Sequence, residues 1–285
     1  MLFKRMTIIG VGLIGGSLGL IAREKKLAGE VVGYGPQRGM LQKGVSLGAI
    51  DRYALSLAKA VEGADLIVLA TPMGAFEPLC REMVPHLKKG AVVTDVGSVK
   101  GSWVARMESI LAPRAFFVGG HPIAGREKSG VEAAERELFQ GSRCVLTPTP
   151  RTDPDALKKV TAFWEKAGAK VALIDPFDHD QILGAVSHLP HLAAYALMET
   201  LVHPKIARNK PVQFSAGGLR DFTRIAASSP EMWRDIFLSN REVMVEMIDL
   251  FQETVEKIKK KILDGDGEGL LEIFARAREI RRKEV

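Results

Sequence analysis

The chain has 285 residues, 46% of them hydrophobic and 26% charged, and carries a net charge of +6. That is enough apolar material for one sizeable core or two domains. No uninterrupted apolar run is long enough to span a bilayer, which excludes a membrane-spanning helix. Basic residues concentrate at 257–261 and 276–283, interleaved with Ile, Leu and Phe. They read as solvated helix faces and not as a nucleic-acid surface. Cys80 and Cys144 belong to no CxxC pair or metal-ligand spacing. They read as reduced core thiols of a cytoplasmic protein. The N-terminal MLFKRMTIIGVG places basic residues before an apolar run, but no small-residue cleavage site follows, so it is not taken for a signal peptide.

From the N-terminus, short β-rich runs alternate with helical stretches. Strands are predicted at 6–10, 30–35, 65–71, 91–97, 116–120, 144–148 and 170–175. Several are apolar at consecutive positions, as in a parallel sheet covered by helices on both faces. Strand–helix alternation of this kind predicts an α/β doubly wound domain over residues 1–175. Beyond Asp175 no strand-like run appears. Residues 176–202 read as a long helix interrupted by Pro190, residues 231–263 as a second and 267–283 as a third. An all-helical domain over 176–285 is expected. The dense apolar positions of 231–263, among them Trp233, Ile236, Phe237 and Met247, suggest a homodimer formed through it, or else an intrachain core.

The first strand runs into GVGLIGGS, with the GxGxxG glycines at Gly10, Gly12 and Gly15, and then into a helix-like segment. Strand, glycine loop and helix in that order form the dinucleotide fingerprint of a Rossmann-type sheet. Gly10 allows the tight turn, Gly12 the approach of a pyrophosphate, and Gly15 close helix–strand packing. Leu13 and Ile14 open the helix whose N-terminus offers N–H groups to phosphate. Tyr34, at the end of the second strand, and Thr71 and Pro72, after the third, are further expected cofactor contacts. An NAD enzyme normally carries an acid at the end of its second strand, for the ribose 2′-hydroxyl. EVVGYGPQR has Gly35 there and Arg38 shortly after, which favours NADP over NAD.

Four more stretches carry chemistry. DVGSVK (95–100) ends a predicted strand, at the edge where open α/β sheets bind ligands. GGHPIAGREKSG (119–130) has too many glycines for a helix and too few apolar residues for a buried strand, and it reads as a loop presenting His121. SHLPH (187–191) and GGLRDFTRIA (217–226) lie in the helical part, with Asp221 and Arg224 three residues apart.

Together with the phosphate loop, these stretches resemble the prephenate/arogenate dehydrogenase family. GxGLIGGS, DVGSVK, GGHPIAGxExSG, SHLPH and DFTRIA…MWRDIF occur in the family's order over nearly the whole chain. The resemblance is to the enzyme without an added regulatory or chorismate mutase domain. It implies oxidative decarboxylation of prephenate or arogenate in tyrosine biosynthesis, with a hydride passing from the ring C4 alcohol to a nicotinamide as the ring carboxylate leaves. By the same resemblance His121 is the base that takes the hydroxyl proton, near an ordinary imidazole pKa. Ser98 bridges His121, substrate and nicotinamide, or else caps the helix that follows it. Arg224 binds the ring carboxylate through its planar fork. Ser187 and His191 contact substrate, and Glu127 lines the entrance. Trp233 and Asp221 match residues that reach the partner's active site across a dimer.

No metal is expected, because the pair His188 and His191 lacks a third ligand at suitable spacing, and His188 itself reads as structural. Two other readings stay open. One is a β-hydroxyacid-type dehydrogenase, which relies on a lysine in the helical domain. The other is a dinucleotide-binding redox sensor, which would not need His121, Ser98 and Arg224 together.

Overall fold

The computed structural model describes residues 1–112, 114–125 and 129–284. One eight-stranded sheet organises the first 173 residues: β1 (Phe3–Ile9), β2 (Ala28–Tyr34), β3 (Arg52–Tyr53), β4 (Leu66–Leu69), β5 (Ala91–Asp95), β6 (Ala115–Pro122), β7 (Arg143–Thr147) and β8 (Lys170–Leu173). Their order is β3-β2-β1-β4-β5-β6-β7-β8. It reverses between β1 and β4, which opens a crevice at the carboxyl ends of those strands.

Helices α1 (Leu13–Glu24), α2 (Arg38–Ser46), α3 (Leu57–Val61), α4 (Phe76–Met83), α5 (Gly101–Leu111) and α6 (Pro154–Ala167) connect the strands. Every residue of β4 and β5 is buried, as expected where helices cover both faces. Burying each Val, Ile or Leu side chain there contributes about 1.5–3 kcal/mol. Helix starts follow local chemistry. Asp153 caps α6 by accepting from Ala156 N at 2.8 Å, Pro154 fills the first turn, and Gly168 ends the helix at φ 106.

The sheet departs from the expected parallel form at one place. β6 and β7 run antiparallel, with His121 opposite Val145, and β8 then pairs parallel to β7. The short edge strand β3 escaped the pattern because two residues carry no periodicity. The larger correction concerns residues 121–122, expected in a loop after a strand ending at 120: they are the last two residues of β6. The glycines belong to the strand because neighbouring chains press on it. A Cβ at Gly119 would lie 2.5 Å from Thr147 Oγ1, and one at Gly120 would lie 2.9 Å from the Asp95 carbonyl.

Contacts divide the chain into two compact units, Met1–Asn240 and Arg241–Val285. The first includes α7 (Pro176–Leu183), α8 (Leu189–Leu201), α9 (Pro204–Ala207), α10 (Gly217–Thr223) and α11 (Pro230–Ser239). Asp175 caps α7, accepting from Phe177 N at 2.8 Å. Pro190 does not interrupt the 176–202 segment as expected. A π-turn, Gly184–His188, joins α7 to α8, and the proline sits in the first turn of α8, where its missing N–H is tolerated. The predicted 231–263 helix is two helices. It breaks at Asn240, whose buried amide donates to the Asp180 carbonyl at 3.1 Å.

The second unit is the helix pair α12 (Arg241–Leu263) and α13 (Gly267–Glu284). Val245, Leu250, Phe251, Val255 and Phe274 are exposed on it. Among the described residues, no helix is long and apolar enough to cross a membrane.

Candidate functional site

A cleft of about 920 Å³ opens at the carboxyl edge of the sheet. One end is the glycine loop. Gly10 has φ +99, and a Cβ there would meet the Ala70 carbonyl oxygen at 2.5 Å. A Cβ on Gly15 would sit 2.1 Å from Gly10 O, so α1 could not approach β1 with any larger residue. At Gly12, by contrast, nothing lies within 4 Å, and the open space is the cleft itself. Gly12 caps α1 without a side chain, leaving the first N–H groups of that helix to an outside acceptor. Leu13, Ile14, Thr71 and Pro72 line the same wall, and the buried Thr71 hydroxyl has no partner among the described residues. These features fit a dinucleotide pyrophosphate. Tyr34 stands behind the loop, where its carbonyl accepts from Gly10 N at 2.8 Å. It does not line the cleft, and neither does the exposed Arg38.

Ser98 and His121 lie further along the edge, and both line the cleft. Ser98 is not the helix cap: α5 begins at Gly101, after Lys100, without a side-chain cap. One buried carboxylate ties the two residues together. Asp95 Oδ2 accepts from Gly97 N at 2.8 Å, and Oδ1 accepts from Gly120 N at 3.0 Å. Gly97 and Gly120, the residues just before Ser98 and His121, therefore both hang on one side chain through their N–H groups. Lys100 neutralises it. Its ammonium is buried, donating to Asp95 Oδ2 at 2.5 Å and to the Gly97 carbonyl at 2.7 Å.

His121 is buried among polar partners. Its Nδ1 lies 2.8 Å from His179 Nε2, and His179 Nδ1 lies 2.7 Å from Asp180 Oδ1. The same Asp180 oxygen accepts from Lys100 N at 2.7 Å. Burial first, then the fields of His179, Lys100 and His188, push the His121 pKa well below 6.5. The expectation of an ordinary imidazole pKa is corrected accordingly: the ring is held neutral by desolvation. His179 is also lowered by burial, with the Asp180 bond opposing. His188 is pushed down to about 4, mainly by burial, and its Nδ1 meets Asn240 Nδ2 at 3.2 Å. That is a structural position.

The helical wall brings Ser187, His191, Arg224 and Trp233 to the cleft. His191 donates from Nδ1 to the Ser187 carbonyl at 2.8 Å, which leaves Nε2 as its acceptor. Its ring stacks on Trp233, with centroids 3.8 Å apart and planes 24° from parallel. Burial lowers the His191 pKa, against that carbonyl bond. Trp233 was expected to reach a partner's site, yet it is 5% exposed inside its own chain's cleft. Its indole N–H has no partner among the described residues. Asp221 is exposed and does not line the cleft, because α10 ends at Thr223 and Arg224 starts a separate 3-10 turn. Glu127 lies outside the described residues.

Sequence reasoning missed Asp95, Lys100, His179 and Asp180 as parts of the site. Asp95 and Lys100 stood in the quoted DVGSVK stretch, where a lysine among apolar residues was the available signal. The dipeptide 179–180 carried none, since its importance rests on a contact 58 residues away in sequence.

Two family profiles match the chain. "Prephenate dehydrogenase, nucleotide-binding domain" covers residues 18–173, and "Prephenate dehydrogenase, dimerization domain" covers residues 175–276. The cyclohexadienyl dehydrogenase of Zymomonas mobilis is 34% identical over 280 residues, spanning 98% of this chain and 95% of that protein. The crystal structure of prephenate dehydrogenase from Aquifex aeolicus, in complex with hydroxyphenyl propionate and NAD+, superposes with a TM-score of 0.91 at 39% identity, covering 98% of each chain. The arogenate dehydrogenase of Synechocystis superposes with a TM-score of 0.82 at 28% identity, covering 99% of this chain and 100% of that one.

Proposed function

The chain belongs to the prephenate dehydrogenase family, and from that premise we propose how its cleft carries out the reaction. It is a prephenate or arogenate dehydrogenase, an oxidoreductase that uses a nicotinamide dinucleotide. One observation carries the residue assignment: a buried neutral imidazole, a dinucleotide-type loop and a guanidinium line one cleft. When bound, the nicotinamide accepts the hydride from the ring C4 carbon. His121 takes the hydroxyl proton on Nε2, the nitrogen not engaged with His179. Ser98 both donates and accepts, and holds the hydroxyl in line with the imidazole. Arg224 pairs with the ring carboxylate until that group leaves as carbon dioxide, its bonding pair passing into the ring. His191 Nε2 is assigned to a further substrate oxygen, with its ring held by the stack on Trp233. Glu127 is proposed, on the family resemblance alone, to take part in binding substrate. Asp221 faces outward, and its assignment holds only if it serves a second chain.

Arg224 supplies a direct check. Arg224→Gln is expected to raise the substrate KM about 100-fold while changing kcat less than 10-fold, because a charge-assisted pair to a carboxylate is lost. Steady-state kinetics with an unchanged KM would contradict the assignment.

Of the two substrates we propose prephenate, giving 4-hydroxyphenylpyruvate, and of the two cofactors NADP. The cofactor choice rests on Gly35, where an NAD enzyme carries its acid; Arg38, exposed and outside the cleft lining, adds no contact to it. The test is an assay of prephenate and arogenate, each with NAD and with NADP, followed by reduced-nicotinamide absorbance. Arogenate turnover alone would reverse the first choice, and NAD preference the second. Gly35→Asp sharpens the cofactor arm. A Cβ there meets only Leu41 Cδ2, at 3.9 Å, so the carboxylate can be accommodated. It is expected to lower kcat/KM for NADP about 10-fold or more by repelling the 2′-phosphate, with little loss for NAD.

We also propose that residues 1–175 form the dinucleotide-binding domain and 176–285 the substrate-binding and dimerisation domain. The two family profiles, which meet between residues 173 and 175, support that boundary. The exposed apolar residues of α12 and α13 support a homodimer. The two buried free cysteines fit a reducing, cytoplasmic compartment.

A further inference from the structure

We propose that His179 and Asp180 are positioning residues for His121, fixing which of its ring nitrogens carries the proton before catalysis and supporting the imidazolium formed during it. This rests on the reading that His121 takes the substrate's hydroxyl proton. Three bonds in series carry the argument. A carboxylate only accepts hydrogen bonds, so His179 must donate to Asp180 from Nδ1 at 2.7 Å. A neutral His179 then has only a lone pair on Nε2. At 2.8 Å from that lone pair, His121 Nδ1 must carry its own proton and donate. His121 Nε2 is thereby left bare on the cleft side.

Without this chain, nothing in the strand would choose between the two neutral forms of His121. The alternative form carries a proton on Nε2 and cannot accept one there. Asp180 is itself fixed, because its Oδ1 also accepts from Lys100 N at 2.7 Å and its carbonyl accepts from the buried Asn240 amide at 3.1 Å. His179 is completely buried, so water does not compete for either of its nitrogens.

During turnover the O–H bond breaks, its proton joins His121 Nε2, and the ring becomes a cation with protons on both nitrogens. The hydride goes to the nicotinamide, the carboxylate leaves as carbon dioxide, and the phenolate so formed takes the proton back from Nε2, so charge and atoms balance and His121 is neutral again. The Nδ1 proton stays on His121. The His179 Nε2 lone pair keeps accepting that proton at 2.8 Å, and the Asp180 carboxylate holds His179 in its accepting form at 2.7 Å. Asp95, in its ion pair with Lys100, faces the same region from β5.

The test reads tautomers and rates together, by 15N–1H correlation of the imidazole nitrogens and by kinetics of the intact enzyme with its dinucleotide. Wild-type protein is expected to show His121 protonated at Nδ1 and bare at Nε2 at neutral pH. His179→Ala is expected to shift His121 toward the Nε2-protonated form and lower kcat about 100-fold, with KM changed little. His179→Gln restores an acceptor opposite Nδ1. It is expected to recover the wild-type tautomer and at least a 10-fold part of the lost kcat.

A wild-type His121 already protonated at Nε2 would overturn the proposal. So would a His179→Gln enzyme no faster than folded His179→Ala, or a His179→Ala enzyme as fast as wild type. If His179→Ala fails to fold, the wild-type tautomer and the His179→Gln rate still decide. Absence of wild-type turnover on either substrate would instead reject the functional reading, a separate outcome.

Discussion

His121→Asn is expected to lower kcat about 1,000-fold while leaving dinucleotide affinity within about 2-fold of wild type. The asparagine keeps a polar group of similar reach at the end of β6 but supplies no base, and a positioned general base contributes roughly 10²–10⁴ in rate. The phosphate loop is a separate element, so cofactor binding followed by fluorescence titration should not register the change. Near-normal turnover would remove the residue from the mechanism. The pH profile gives a second readout. The base works in its neutral form, and burial holds its pKa well below 6.5. Protonation, and with it loss of kcat/KM, therefore begins below the ordinary histidine range. The profile should stay flat as pH falls through 6.5, and an acid limb centred at or above 6.5 would contradict the assigned environment.

Lys100→Met is expected to destabilise the protein by about 3–5 kcal/mol, because it leaves the Asp95 carboxylate buried without its cation. For a chain of this size that corresponds to a fall in Tm of roughly 5–8 °C. The two side chains are 1% and 3% exposed, so solvent cannot take over the role of either partner. Activity should fall further than the stability loss alone explains, since Asp95 holds the N–H groups of Gly97 and Gly120, the residues just before Ser98 and His121. The double variant Asp95→Asn/Lys100→Met removes charge from both partners and should recover much of the lost Tm, while kcat stays low. A Tm for Lys100→Met within 2 °C of wild type by calorimetry would show that the pair is not coupled in this way. Both experiments bear on one physical point. The catalytic edge of this sheet is assembled from buried charges and imidazoles, each of which is stable only because the next one is in place.

Much of this was legible in the chain itself. Consecutive apolar positions marked β4 and β5, because a strand covered on both faces needs no polar alternation. Gly10, Gly12 and Gly15 marked the phosphate loop, because backbone closeness excludes any Cβ at Gly10 and Gly15. The helix expected from residue 176 begins there, at Pro176, capped by Asp175. These are short-range rules, and a sequence states short-range rules directly. Tertiary structure decided the rest. Nothing local turns β7 antiparallel to β6 or carries β6 on through His121 and Pro122; pairing with Val145 and Cys144 of β7 does that. Breaking the long helix at Asn240 depends on a bond to Asp180, 60 residues earlier. Lowering the His121 pKa depends on burial together with His179, Lys100 and His188, drawn from α7, the approach to α5 and the π-turn. Turning Trp233 into its own cleft depends on the His191 ring it stacks against. The sequence by itself determined which stretches come to the cleft, because their residue types and spacing are written in the motifs. The protonation, orientation and pairing of their side chains were decided by the fold, because a charge or a proton is set by whatever packs around it.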